Sequence, residues 1–390
     1  MIRELRADFN ARWTPQRYRA FLAHLDRRAG TPVKFRVSET PCFLPQPLVT
    51  QLAATGAELL RQLIADPAYR AASNATIPPE FRAPNEAPAP LFAAVDFNLV
   101  RNAAGQLEPR LIELQGFPSL YGFQTAFAQS YIEAYGLDAS LRIIPDGSSL
   151  DAYCDRLRAA ILGGHDPQNV VLMEIHPLEQ KTLPDFVVTE CITGIRTVCI
   201  TEIEKQGREL FYRRDGRRTP IRRIYNRVIV DELQRKQVTL PFRFTDELDV
   251  EWAGHPNWFF RISKFSLPYL RHPCVPQTWF LDKLAKWPDD LENYVLKPLY
   301  SFAGLGVVVG PKRGDLEAIP RERLHDYILQ ERMRFEPVIE TPHGPTQAEI
   351  RVLYILGDAC HPASAVVDEG CAFPAPHSFH LGPLIVRNLG

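Results

Sequence analysis

Asn293-Tyr294-Val295-Leu296-Lys297-Pro298-Leu299-Tyr300-Ser301-Phe302-Ala303-Gly304-Leu305-Gly306-Val307-Val308-Val309 is the stretch whose reading decides the fold. An apolar strand pattern delivers a lysine at its end, small residues follow, and a second apolar strand pattern resumes. Lys297, just before Pro298, can set a fixed positive charge over a phosphate. The backbone N–H groups from Ser301 to Gly306, Gly304 among them, can then wrap phosphate oxygens, because glycine permits close approach. The lysine precedes the glycines, so this is not a Walker A loop. An ordinary β-hairpin with a surface lysine fits the same residues.

Two other segments carry chemistry. Glu113-Leu114-Gln115 lies in a strand pattern, where alternation puts Glu113 and Gln115 on one face. Asp96 lies in the preceding strand pattern, 92–100, across a turn at 102–106. Two carboxylates and an amide oxygen are hard donors suited to Mg2+ on phosphates; exposed acids on a hairpin are the plainer reading. Arg222-Arg223-Ile224-Tyr225-Asn226-Arg227 forms the third segment. Arginines at a strand end can hold a substrate carboxylate through a bidentate fork. A basic edge strand that discourages unwanted pairing is the alternative.

Composition narrows the class. A chain of 390 residues suits two or three subdomains around a cleft. Lys plus Arg (45) balances Asp plus Glu (46), so no global field draws it to nucleic acid or an anionic membrane. No apolar run approaches the ~20 residues of a membrane span. The first eight residues are charged where a signal peptide needs apolar ones. Seven cysteines, an odd number with no C-x-x-C pair, fit reduced and mostly buried thiols, and the expected compartment is cytoplasmic. No H-E-x-x-H or G-x-S-x-G pattern occurs, which ranks zinc-enzyme and hydrolase readings low.

Periodicity predicts a helical N-terminal layer within 1–90, with helices over 14–28 and 47–66 and a connecting loop over 74–90. Residues 91–150 carry the acidic strands and a helix over 123–135. Helices and strands alternate over 151–275, with helices at 151–162 and 177–192 and a strand at 220–228, predicting an α/β domain with a largely parallel sheet. The last unit, 276–390, reads as α+β.

Together these motifs resemble one family. Tyr294-Val295-Leu296-Lys297-Pro298 with its glycine-bearing loop, followed by Tyr327-Ile328-Leu329-Gln330-Glu331-Arg332-Met333, looks like the nucleotide half of an ATP-grasp ligase. Glu113-Leu114-Gln115-Gly116-Phe117-Pro118-Ser119 lies far before the lysine, an order similar to the circularly permuted branch that contains eukaryotic-type glutathione synthetase and glutathionylspermidine synthetase. The resemblance implies an ATP-grasp fold, two α+β subdomains gripping ATP, with an inserted α/β substrate domain. It implies phosphate contacts from Lys283, Lys297, Ser301, Gly304 and Gly306, and adenosine contacts from Gln330, Glu331 and Met333. Asp96, Glu113 and Gln115 would hold Mg2+, while Arg227 and Ser119 would touch substrate. Arg351, in Glu349-Ile350-Arg351-Val352, and Arg387 would face the phosphates or substrate during catalysis.

Three departures stand out. Gln115 replaces the family's asparagine, Ser301 stands where glutathione synthetase has a metal-binding acid, and Ala303 replaces a loop glycine. The expected activity is ATP-dependent joining of a carboxylate, on an amino acid or small peptide, to an amine through an acyl phosphate. The alternative is a nucleotide-binding homologue without ligase activity. Expected partners are the small-molecule acid and amine, with no nucleic acid or membrane; permuted relatives are often homodimers.

Overall fold

The computed structural model describes residues 2–138, 141–300 and 306–356, and the backbone of the strands Pro362–Ala372 and Phe379–Arg387. Its N-terminal layer is helical. Thr14 caps the helix Pro15–Ala29 by accepting from Arg17 N, proline occupies the first position, and Gly30 in the left-handed region ends the helix. The helix Gln46–Ala65 turns Val49, Leu52, Leu59, Leu60 and Leu63 inward, the spacing legible in the sequence. Each such side chain contributes roughly 1.5–3 kcal/mol by burial.

That helix covers one face of a six-stranded sheet. Its order is Cys42–Pro45, Phe379–Arg387, Pro362–Ala372, Glu349–Leu356, Phe92–Arg101, Leu107–Gln115, antiparallel throughout except the first pair. Val95, Phe97, Leu111, Leu114, Ile350 and Val352 form the face beneath the helix. Leu111 and Leu114 stand three apart, which a regular strand cannot place on one side. A β-bulge resolves this: Phe97 pairs with Leu111 and Asp96 with Glu113, leaving Ile112 unpaired.

Residues 151–275 build a second, wholly parallel sheet in the order Glu251–Ala253, Arg223–Asn226, Val170–Glu174, Arg196–Cys199. All five residues of Val170–Glu174 are buried, as in a parallel sheet covered on both faces. The helix expected over 177–192 begins at Leu183, after a 3-10 turn at Pro177–Glu179. Pro184 lies in its first turn, where a missing N–H costs little. The strand expected over 220–228 divides at Arg222, whose N–H donates to Asn169 O at 2.7 Å. Arg217–Ile221 joins a three-stranded sheet with Glu204–Gln206 and Glu209–Arg214, whereas Arg223–Asn226 joins the parallel one.

The strands after residue 276 also divide. Thr278–Phe280, Tyr327–Glu331, Tyr294–Pro298 and Val308–Val309 form a four-stranded antiparallel sheet, and the strands from Glu349 onward complete the six-stranded one. Among the described residues the cysteines are free, with Cys42, Cys199 and Cys274 buried and Cys191 exposed. No helix among them is long and apolar enough to cross a membrane.

Candidate functional site

The second face of the six-stranded sheet is chemically divided. Phe92, Ala94, Leu353 and Ile355 pack against Tyr121, Tyr153 and Tyr225 of the adjoining layers. Farther along the same strands the alternation presents Asp96, Asn98, Glu113, Gln115, Glu349 and Arg351. Arg351, Asp96 and Glu113 stand in one row across three neighbouring strands. The bulge makes this row. Without it Glu113 would face Val95's side and enter the core.

Arg351 Nε and Nη2 donate to Asp96 Oδ1 and Oδ2 at 2.6 and 2.5 Å, a bidentate pair. Gln115 Nε2 donates to Glu113 Oε1 at 2.6 Å, and Lys264 Nζ lies 3.4 Å from Glu113 Oε2. Lys297 arrives from the four-stranded sheet. Its Nζ donates to Gln330 Oε1 at 2.6 Å and reaches the carbonyl of Ile112, the bulged residue, at 3.5 Å. Gln330 in turn donates to Thr278 Oγ1.

Burial sets the electrostatics. It pushes the Lys297 ammonium down to about 8, with Glu113 opposing. Burial alone would raise Glu113, but Lys264, then Lys297 and Arg351, outweigh it and hold that carboxyl below its ordinary range. Glu349 is pushed up to about 8 by burial and then by the charge of Asp96. Burial also raises Asp96, against the pull of Arg351. Three cations, Lys264, Lys297 and Arg351, therefore bear electrostatically on Glu113, with Lys264 in contact with it.

Of the three residues expected to hold a metal, the structure brings Asp96, Glu113 and Gln115 together but commits both Asp96 oxygens to Arg351. Among the described residues no group of three or more His, Cys, Asp or Glu is placed to hold a metal ion. Glu113 and Gln115 remain. That set fits an ion carried largely by phosphates and water, as Mg2+ commonly is, and does not fit an all-protein cage.

The expected nucleotide contacts scatter more widely. Gln330 is buried on Lys297, Glu331 is exposed and accepts from Gln277 N, and Met333 is half-buried. Lys283 is exposed and pairs with Asp282 at 2.9 Å. Gly306 has φ +74, and a Cβ there would meet Pro298 Cγ at 2.9 Å, so this turn requires glycine. Ser301 and Gly304 lie outside the described residues, as does the side chain of Arg387, whose backbone pairs with Pro45.

Arg227, expected to touch substrate, is enclosed by its own protein. It is buried, donates to the carbonyl of Pro118, and lies 3.6 Å from Asp185, which accepts from the N–H groups of Leu120 and Phe123. Phe117 and Phe186 flank its guanidinium. These contacts pin the 116–122 loop, and half-buried Ser119 with it, to the helix Leu183–Thr193. Arg227 thus ties this loop to the parallel sheet, while its buried Nε has no hydrogen-bond partner among the described residues. The loop also approaches closely at Gly116, where a Cβ would stand 2.3 Å from Trp258 O.

Two site residues escaped the sequence reading. Lys264 sits in Phe259-Phe260-Arg261-Ile262-Ser263-Lys264-Phe265, where nothing local shows that the lysine turns inward. Glu349 left a usable signal, since it precedes Arg351 by two residues in a strand and must share its face.

No family model matches the chain, and no curated protein matches its sequence. Among solved structures it is similar to a glutathione synthetase-like effector from Globodera pallida, determined in the apo form, with a TM-score of 0.61 and 13% identity over 95% of this chain and 96% of that one. At that identity the likeness shows a glutathione synthetase-like fold.

Proposed function

We propose that this chain is an ATP-dependent carboxylate–amine ligase of the ATP-grasp type, acting between its six-stranded and four-stranded sheets. One observation carries the reading: three cations gather at one row of the sheet, Lys264 on Glu113, Arg351 on the neighbouring Asp96 and Lys297 on the carbonyl of Ile112. Such a cluster is self-neutralised at rest, yet it suits polyanion binding once the carboxylate has another cation beside it. Glu113 and Gln115 would hold Mg2+, leaving the three cations to face phosphate oxygens. When bound, ATP supplies the phosphoryl group that converts the substrate carboxylate to an acyl phosphate with release of ADP, and the amine then displaces phosphate.

The protein's own contribution is positioning and charge. Lys297 is held by Gln330 and by the bulge carbonyl, so little reorganisation accompanies its use. Asp96 orients Arg351 through two hydrogen bonds, fixing the plane of its guanidinium. Removing Lys297 should lower the rate by about 10²–10³, the effect of one preorganised electrostatic group. The test is thermal unfolding with Mg2+ and ATP, beside ADP release over a panel of acids and amines, for the wild type and Lys297→Ala. An ATP-dependent shift that requires Lys297 supports the nucleotide site. No shift at millimolar ATP overturns it.

A second reading, a nucleotide-binding homologue without ligase activity, is favoured by the closure of Asp96 on Arg351. It predicts the same thermal shift with no ADP release from any acid.

A further inference from the structure

A recess of about 410 Å3 opens at the carboxyl ends of two neighbouring strands of the parallel sheet, the usual place for ligands in such sheets. Val170–Glu174 leads into it at His176, and Arg196–Cys199 ends in it at Cys199. Three carboxylates, those of Glu179, Glu190 and Glu202, also line it.

Cys199 is the reactive group this recess offers. Its Sγ accepts from the N–H of His176 at 3.4 Å, and Thr201 Oγ1 stands 3.0 Å from it. His176 Nδ1 lies 4.0 Å from the same sulfur. His176 has φ +43, a left-handed conformation uncommon outside glycine, and in it both the N–H and the ring reach the thiol.

The thiolate is the nucleophile in exchange with a disulfide. Nearby carboxylates oppose a standing thiolate, so the proton has to leave as the sulfur attacks. The imidazole is the base in place to take it. The same carboxylates favour a cationic guest over an anionic one.

We infer that Cys199 and His176 form a thiol-exchange site for a small cationic disulfide, a role that does not rest on the ligase reading. The S–H proton passes to His176 Nδ1 as Sγ bonds to one sulfur of the disulfide. The S–S bond of the disulfide breaks, and its other sulfur leaves as a thiolate that takes the proton from the imidazolium. Cys199 is thereby oxidised to a mixed disulfide, and the departing half of the reagent is reduced to a thiol.

Cystamine, a cation, and dithiodiglycolate, an anion, are the probes, with labelling of the full chain read by peptide mass spectrometry. Exposure alone favours Cys191, which is exposed, over Cys199, which is 6% exposed. The exchange site predicts the reverse. At about pH 7 cystamine should label Cys199 at least tenfold faster than Cys191, and dithiodiglycolate should lag behind cystamine by a wider margin at Cys199 than at Cys191. His176→Asn suits the left-handed backbone but supplies no base. It should slow labelling of Cys199 at least tenfold at about pH 7, and the gap should close at about pH 10, where a thiol ionises unaided. Faster labelling of Cys191, equal rates of the two reagents at Cys199, indifference to His176→Asn at about pH 7, or a deficit that persists at about pH 10 would overturn the inference.

Discussion

Arg351 grips both carboxylate oxygens of Asp96 from the neighbouring strand, at 2.6 and 2.5 Å, while Asp96 is almost fully buried. The pair is a structural commitment as much as a functional one. Arg351→Ala should lower unfolding stability by about 3–5 kcal/mol, because it strands a buried carboxylate. Adding Asp96→Ala should recover part of that loss, giving a coupling energy above ~1 kcal/mol in a urea-denaturation cycle. Additive effects would mean the pair is not coupled in solution.

Lys297 should report itself through pH. Its folded value of about 8 lies below the ordinary 10.5, so between these values the unfolded chain holds a proton that the folded chain has lost. Stability must therefore rise with pH across that window, by roughly 3 kcal/mol from this group. Urea midpoints of Lys297→Met should lack the rise. A parallel rise in wild type and variant would show that Lys297 is solvated.

Glu349 carries the opposite signature. Its folded value near 8 exceeds the ordinary 4.5, so the folded chain holds the extra proton between them. The stability this contributes is present below pH 4.5 and lost as pH rises towards 8. Buried Glu174, also pushed up to about 8 by desolvation, adds to the same slope. Glu349→Gln and Glu174→Gln should each flatten the decline, measured as chemical-denaturation stability from pH 5 to 8. A slope unchanged in both variants would contradict the burial of these groups.

Arg227→Ala should act on stability before anything else. Asp185 would keep its two backbone donors and lose the cation partner it has among the described residues, at an expected cost of about 3–5 kcal/mol. A variant as stable as wild type but weak in substrate binding would return Arg227 to the role its position in the sequence suggested.

Much of the architecture was legible because it follows from local period. The helix Gln46–Ala65 and the strands Phe92–Arg101, Val170–Glu174 and Tyr294–Pro298 declare themselves by spacing alone. What was illegible depends on distant partners. Arg227 ends a strand, as a substrate arginine would, and only the buried Asp185 reveals its other use. Lys264 looks like a surface residue until a 3-10 turn carries it to Glu113. The bulge was illegible too, because Leu111 and Leu114 stand at an i, i+3 spacing that a helix would share, and only the pairing with Phe97 and Asp96 reveals it.

That bulge has a consequence for how such a site can change over time. Ile112 is a counting error of one in the strand, and the bulge that absorbs it decides which residues are odd and which are even. Deleting it would leave Leu111 opposite Phe97, Glu113 opposite Asp96 and Leu114 opposite Val95, so both sides would keep their residues. Ironing the bulge out with Ile112 retained would exchange them, bringing Ile112 opposite Asp96 and Glu113 opposite Val95. The strand thus carries one residue whose loss its division into two sides would survive, although Lys297 would forfeit the carbonyl it reaches.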